Sequence, residues 1–456
     1  MLAPGRSTAP TSWGVRDRAC PRAELRPLQR PVCGPGPVGL QSEQGQPPWR
    51  VLLSPNQEGH MNPSASLRAE AAPKARALSL TFGYYLALMA LGLTTASMGP
   101  TLPGLAAQTG TRLAEIGFLF TARSLGYLLG SLGGGRLYDR LRGHRLLAGA
   151  LVAVAGAMAA VPLVPRLWLL TALLAALGLA EALVDVGTNT LLVWVHRSRV
   201  GPFMNGLHFF FGIGAFVSPI VVAQVMLHTG GIAWAYRLLA LAVLPGAVWL
   251  LRLPSPANGV EAEPGAGGRP NYGLVVLAAA FLFLYVGAEV GFGGWVYTYA
   301  LAMGLSGPAM AAYLTSAFWG SFTVGRFLGI PLAARFSPQA ILAADVAGCI
   351  ASLALLLAWP HSAAALWLGT LGVGLAMASI FPTTLSLAER RMAITGRATG
   401  WLLAGGGAGS MLLPWLMGQL FEPWGPGAAM AAILADLLVA GAVLAALNAT
   451  WARRAG

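Results

Sequence analysis

From Leu78 to Thr450 the chain alternates apolar stretches of about twenty residues with short polar breaks, and that rhythm leaves few folds open. Each stretch is long enough to cross a bilayer as a helix. In lipid, only helices and closed barrels satisfy every backbone N–H and C=O. Composition points the same way, since 56% of residues are hydrophobic and only 10% are charged. A soluble domain needs a far more charged surface. We read an all-α membrane protein with helices near 78–98, 113–134, 146–164, 167–195, 203–228 and 233–253, then near 272–302, 308–330, 338–358, 363–388, 397–420 and 424–450. The polar break 254–271 separates an N-terminal bundle (78–253) from a C-terminal bundle (272–452). Residues 1–77 are rich in Pro, Arg and Gly and read as a disordered tail without the apolar core of a signal peptide. Met61 is an alternative start.

The formal charge of +13 does not indicate nucleic acid. The arginines cluster in loops and in the tail, with no basic domain interleaved with aromatics. Their placement instead sets orientation. Arg136, Arg140, Arg142 and Arg145 share a side with Arg197, Arg199, Arg252, Arg269, Arg335, Arg390, Arg391, Arg397, Arg453 and Arg454. The opposite loops hold Arg112, Arg166 and Arg237. By the positive-inside rule both termini and the central linker are cytosolic. The expected setting is a bacterial inner or plasma membrane, with the lipid bilayer as partner and a monomer as the working unit. Cys20, Cys33 and Cys349 make neither a disulfide framework nor a metal-ligand spacing.

The two halves echo one another. Gly178-Leu179-Ala180-Glu181-Ala182 matches Gly374-Leu375-Ala376-Met377-Ala378, with Thr188 and Leu191 opposite Thr384 and Leu387. GIGAFVSP from Gly212 matches GAGSMLLP from Gly407, and Gly135-Arg136 is echoed by Gly325-Arg326. The offsets are all roughly 190 to 196 residues, as repeats of one topology require. An even number of helices per repeat gives both halves the same orientation. That predicts two six-helix bundles with a cavity between them.

The most distinctive string is Arg123 to Arg145, RSLGYLLGSLGGGRLYDRLRGHR. An apolar helix with Gly126, Gly130 and Gly134 runs into a basic loop carrying Gly135, Asp139, Arg140, Gly143 and Arg145. The glycines are expected to turn the backbone, Asp139 to cap a helix or pair with an arginine, and the arginines to hold the loop in the cytosol as a gating element. The spacing is similar to that of the loop between the second and third helices of major facilitator transporters.

Acids inside a membrane helix are expensive and need a reason. Glu181, Asp185 and Asn189 recur every four residues on one face of the fourth helix, so this stripe is expected to line the cavity. Such a carboxyl can exchange a proton, or with Asn189 can offer oxygen ligands to sodium. Met377 and Phe381 stand opposite Glu181 and Asp185 in the second half, which assigns ion chemistry mainly to the first. On the fifth helix Asn205 and His208 share a face and suit either a polyhydroxylated ligand or a proton relay; each also reads as structural, a helix cap or a packed histidine. Glu289 lies in the seventh helix beside Gly291, Gly293 and Gly294 and ahead of Trp295 and Tyr299. Trp295 is a candidate to stack on a sugar ring, or a member of an interfacial aromatic belt. Arg123 needs a carboxylate partner, either Glu115 or an acid of the fourth helix, or alternatively binds an anionic substrate. Arg326 reads as an anchor at the cytosolic end of the eighth helix, and Asp345 and Asp436 as interhelical contacts.

These strings, with DVGTNTLLVW, MNGLHFFFGIGAFVSP, YVGAEVGFGGWVYTYA and GLAMASIFPTTLSLA, resemble the fucose–proton symporter branch of the major facilitator superfamily, closest to its sodium-dependent glucose transporter-like members. The resemblance implies a twelve-helix fold, alternating access, a sugar-like small-molecule solute and coupling to H+ or Na+ without another cofactor. In the branch, a helix-four acid followed four residues later by Asn is functional, and Asp185 and Asn189 match that pair. The first helix departs from the pattern, with Thr94, Thr95 and Ser97 where the symporters carry an acid. That favours sodium, or Asp185 with Glu289 as the working pair. A drug or metabolite exporter is the alternative, for which Met377, Phe381, Trp319 and Trp401 argue. No HExxH, no GxSxG and no Ser/His/Asp set at one depth suggests an enzyme.

Overall fold

The computed structural model describes residues 63–256, 272–391 and 396–455. The expected tail up to residue 62, with Met61, and most of the central linker lie outside the described residues. The described elements are all helical: α1 (Pro63–Thr109), α2 (Leu113–Ile116), α3 (Phe118–Arg140), α4 (Gly143–Ala160), α5 (Leu167–His196), α6 (Val200–Thr229) and α7 (Ala233–Leu251), then α8 (Tyr272–Ala302), α9 (Pro308–Arg335), α10 (Pro338–Ala358), α11 (Ala363–Met377), α12 (Ile380–Arg391), α13 (Gly396–Trp424) and α14 (Pro426–Ala455). Because α2 is a single turn leading into α3, and α11 and α12 are halves of one interrupted rod, the described residues form twelve rods. Six belong to each half. One face of the assembly carries the α3–α4 turn and the start of α1; we call it the terminal face.

Eight segments satisfy length and hydropathy for a membrane span, one of them holding both α5 and α6. The rods left over are α3, α9 and α13. They carry the Gly, Ser, Thr and Arg that lower hydropathy, and they sit where the bundles meet: α3 packs on α13, and α9 on α6. Shielding from lipid removes the demand for an apolar surface. Large apolar side chains elsewhere point outward, among them Leu241, Val276 and Leu368. Exposed Trp168, Trp234, Trp359 and Trp424 cluster near the opposite face as an aromatic belt.

The internal repeat is visible in the packing. Gly214 of α6 lies so close to α1 that a Cβ there would sit 2.0 Å from the Met89 carbonyl oxygen, and its counterpart Gly409 of α13 stands 1.8 Å from that of Phe283 in α8. Gly126 and Gly178 likewise let α3 and α5 touch, the hypothetical Cβ atoms falling 1.9 Å from the Ala175 oxygen and 2.0 Å from the Arg123 oxygen. Small residues at these crossings replace the hydrophobic effect, which is absent between helices in lipid, with close van der Waals contact. We expect Gly178→Leu to force α3 and α5 apart. Fluorescence-detected size-exclusion of the fused protein should show the monodisperse peak largely lost, whereas the same change at Gly149, which has open space around it, should leave it intact.

Four expectations need correction. Residues 63–77 are helical rather than disordered, continuing α1 through an Ala-rich stretch that favours helix. The Gly135–Arg145 string is not an extended loop. The α3 helix continues to Arg140 and α4 begins at Gly143, leaving Leu141 and Arg142 as the whole turn. Neither Gly135 nor Gly143 has a positive φ; among the described residues the glycines that do are Gly110, Gly230, Gly304 and Gly425, all in opposite-face turns. Gly143 is instead a close-approach position, since a Cβ would fall 2.5 Å from Leu191 Cδ2. Asp139, Arg140 and Arg145 are exposed on the terminal face, as the motif requires. The tenth rod, expected to be continuous, breaks at Ala378–Ser379, because Pro382 has no N–H to give the Ala378 carbonyl. Asp345 of α10 accepts a hydrogen bond from Ser379 at this break. Finally, α9 runs on to Arg335, which places Arg326 well inside the span rather than at its end.

Candidate functional site

Contacts between the bundles run from mid-depth to the opposite face. There Leu113 N donates to Glu422 Oε1 (2.8 Å), Gln419 Nε2 donates to the Ala114 carbonyl (2.8 Å), and Gln224 of α6 bonds Tyr313 of α9. Deeper, Thr121 Oγ1 donates to the Met411 carbonyl (2.8 Å), and a Cβ on Gly99 would meet the Gly293 oxygen at 2.8 Å. Among the described residues, contact toward the terminal face is made by pairs such as Phe209 with Phe327, while α5 and α12 pack mainly within their own bundles. The two halves are thus sealed on one side, and the groups described next lie where the seal ends.

Those groups form a ladder between α3 and α5. Arg123 and Tyr127 occupy successive turns of α3; Glu181 and Asp185 occupy successive turns of α5, and both pairs face each other across the glycine-mediated crossing. On the first rung Arg123 grips Glu181 with two hydrogen bonds, Nη2 to Oε1 at 2.6 Å and Nε to Oε2 at 2.8 Å. Glu181 is 2% exposed. This is a bidentate buried ion pair, and it settles which acid Arg123 pairs with; Glu115 bonds Arg112 instead. On the second rung the donor is neutral: the Tyr127 hydroxyl donates to Asp185 Oδ2. Asn189 Nδ2 donates to Asp185 Oδ1 and to its main-chain carbonyl, both at 2.9 Å. Among the described residues no cation lies within ion-pair distance of Asp185, and its side chain keeps part of its surface accessible.

Across the gap, Glu289 of α8 is half-buried and within hydrogen-bonding reach of Tyr285, whose hydroxyl also lies 3.1 Å from the Met377 carbonyl. His208 of α6 is half-buried and Asn205 is exposed nearer the terminal face. Asp185, His208 and Glu289, from α5, α6 and α8, each lie near enough to Arg326 of α9 for its charge to bear on them.

The structure separates the sequence candidates. Asp185, Asn189, Glu289 and His208 converge. Glu181 does not join them as a free acid, because Arg123 consumes both of its oxygens. Trp295 lies fully buried in the opposite-face seal, donating to the Pro414 carbonyl (2.9 Å) and packing on Phe120 and Phe421. That contact removes it as a ring offered to a ligand in this conformation. Met377 is likewise 0% exposed, while Phe381 is half-buried beyond the helix break. Sequence reasoning missed Tyr127 and Tyr285. The available signal was their position, each four residues from a charged group on its own helix. It also missed that the first-helix hydroxyls are occupied: Thr94 and Ser97 donate to the carbonyls of Leu91 and Thr94 (3.0 and 2.8 Å).

Two like-oriented six-rod bundles with carboxylates held between them define a polytopic membrane protein with an inter-bundle site. The chain belongs to the Major Facilitator Superfamily, whose family profile matches residues 84–414. It is 30% identical over 358 residues to sodium-dependent glucose transporter 1 of Xenopus laevis, covering 72% of this chain and 73% of that one. Among solved structures it resembles the nucleoside transporter NupG (TM-score 0.68, 13% identity, 81% of this chain and 99% of that one). It also resembles a D-xylose-proton symporter (TM-score 0.67, 14% identity, 81% and 97%).

Proposed function

We propose that this protein is a secondary active transporter that moves a sugar or similar small polar solute together with H+ or Na+ by alternating access. It works as a monomer in a plasma or bacterial inner membrane with both termini in the cytosol, as the arginine asymmetry favours. The observation that carries the reading is the second rung of the ladder. Glu181 has its cation built in, whereas Asp185, one turn along, is held only by neutral groups. An acid at this depth with no cation in direct contact is poised to take a mobile one.

Both of its neighbours can change sides. The Tyr127 hydroxyl donates or accepts by rotation, and the Asn189 amide turns its oxygen forward by a flip. When a proton or sodium ion arrives, donors to a carboxylate become acceptors or ligands for a cation without repacking the helices. Glu289 with Tyr285 supplies a second such group on the facing bundle. Asn205 and His208 line the route from the terminal face, where the solute enters or leaves. Filling the region with cation and solute neutralises it and permits the bundles to rock about the site. The Gly135–Arg145 motif holds the α3–α4 corner that moves with the first bundle.

The sugar assignment takes support from the similarity to sodium-dependent glucose transporter 1 of Xenopus laevis. Counterflow in proteoliposomes tests it. Labelled D-glucose should enter vesicles preloaded with unlabelled D-glucose, and a sodium or proton gradient, imposed separately, should drive accumulation. Gradient-driven expulsion of hydrophobic dyes with no hexose counterflow would instead make the protein an exporter.

A further inference from the structure

Two arginines lie deep in the described spans, and their treatment differs. Arg123 has its carboxylate. Among the described residues Arg326 has none within ion-pair distance, and its Nε is buried without a hydrogen-bond partner there. The guanidinium rests on the ring of Phe322, 4.6 Å from the centroid. Phe322 packs edge-on against Trp319 (centroids 5.6 Å apart), and the indole Nε1 of Trp319 is a second buried donor without an acceptor. Residues 319, 322 and 326 are spaced three and four apart, so they share one face of α9. That face looks inward. Phe211 of α6 touches Trp319 edge-on, and Arg326 acts on Asp185, His208 and Glu289.

A guanidinium Nε–H and an indole N–H buried without acceptors are costly. They are reasonable only where a mobile acceptor completes them during the cycle. The two nearby carboxylates argue against an anionic ligand, which they would repel. Neutral oxygens close together on a ring meet no such penalty, and an aromatic edge beside them suits the C–H face of that ring. Resting on the sugar reading above, we propose that Trp319, Phe322 and Arg326 form the C-terminal bundle's half of the solute site. Arg326 and Trp319 donate to neighbouring oxygens of a polyhydroxylated ring, and Phe322 holds the guanidinium in place. Phe211, on the facing bundle, shields the indole until solute displaces it.

The test is equilibrium binding of labelled D-glucose and competition by its monodeoxy analogues, on purified full-length wild type, W319F, R326K and R326Q. W319F removes one N–H and keeps an aromatic ring. It should weaken D-glucose binding roughly fivefold, the worth of one neutral hydrogen bond, and leave the cation concentration for half-maximal uptake unchanged. R326Q should weaken binding more than about tenfold, and R326K should fall between, keeping charge but losing the fork. One deoxy analogue that wild type disfavours should compete with W319F as well as glucose does. Wild-type affinity and an unaltered deoxy profile in W319F overturn the subsite, even if R326Q fails to fold. A wild type that binds no hexose under any cation condition overturns the sugar reading, and this subsite with it.

Discussion

Asp185→Asn protein in proteoliposomes should exchange labelled for preloaded solute yet fail to accumulate it under any sodium or proton gradient. Asparagine keeps the size of the side chain and an oxygen to accept from Tyr127, so the α3–α5 packing survives. What disappears is the charge that makes the empty site demand a cation. Without it, the bundles can rock with solute alone, which permits exchange and abolishes coupling. An imposed sodium or proton gradient should add nothing to uptake beyond equilibration, while counterflow remains measurable. Concentrative uptake undiminished from wild type would remove Asp185 from the coupling role. Glu289→Gln gives the companion measurement: coupling that survives there and fails at Asp185 makes the first bundle the seat of ion chemistry.

The Arg123–Glu181 pair should show the largest effect on stability. Removing one member leaves the other charged, buried and uncompensated, so Arg123→Ala should cost about 3–5 kcal/mol. Thermal unfolding in detergent, followed by loss of the monodisperse peak, reads that loss. The pair itself has modest net worth, because burying both charges nearly cancels their attraction. An Arg123→Met, Glu181→Leu double variant should therefore recover most of the lost stability. If the double variant is as unstable as the single one, the two residues contribute through something other than each other. Activity separates this from coupling: the double variant should still accumulate solute, since Asp185 keeps its neutral partners.

Much of the architecture was legible because membrane helices announce themselves. Rods must be apolar where lipid touches them, and the GIGAFVSP and GAGSMLLP strings carried the repeat because the same crossing needs the same small residue twice. The candidate site was less legible. Glu181 and Asp185 look equivalent on a helical wheel; what distinguishes them is whether α3 presents Arg123 or Tyr127 across the gap. Trp295 next to a glycine cluster looked like a ligand platform, but its surroundings on α3 and α13 close over it. Arg326 looked like a terminal anchor only because the end of its helix was placed too early.

The sequence alone determined that this chain crosses a bilayer many times, which face holds its arginines, and that its halves are copies. Those follow from solvent, which acts on every residue locally: lipid rejects charge, and headgroups accept it. Only the tertiary structure decided which acid is neutralised, which aromatic is sealed away and which arginine has no carboxylate beside it among the described residues. Each of those depends on a neighbour brought from a distant part of the chain, and a charge buried among helices takes its meaning from the group that faces it.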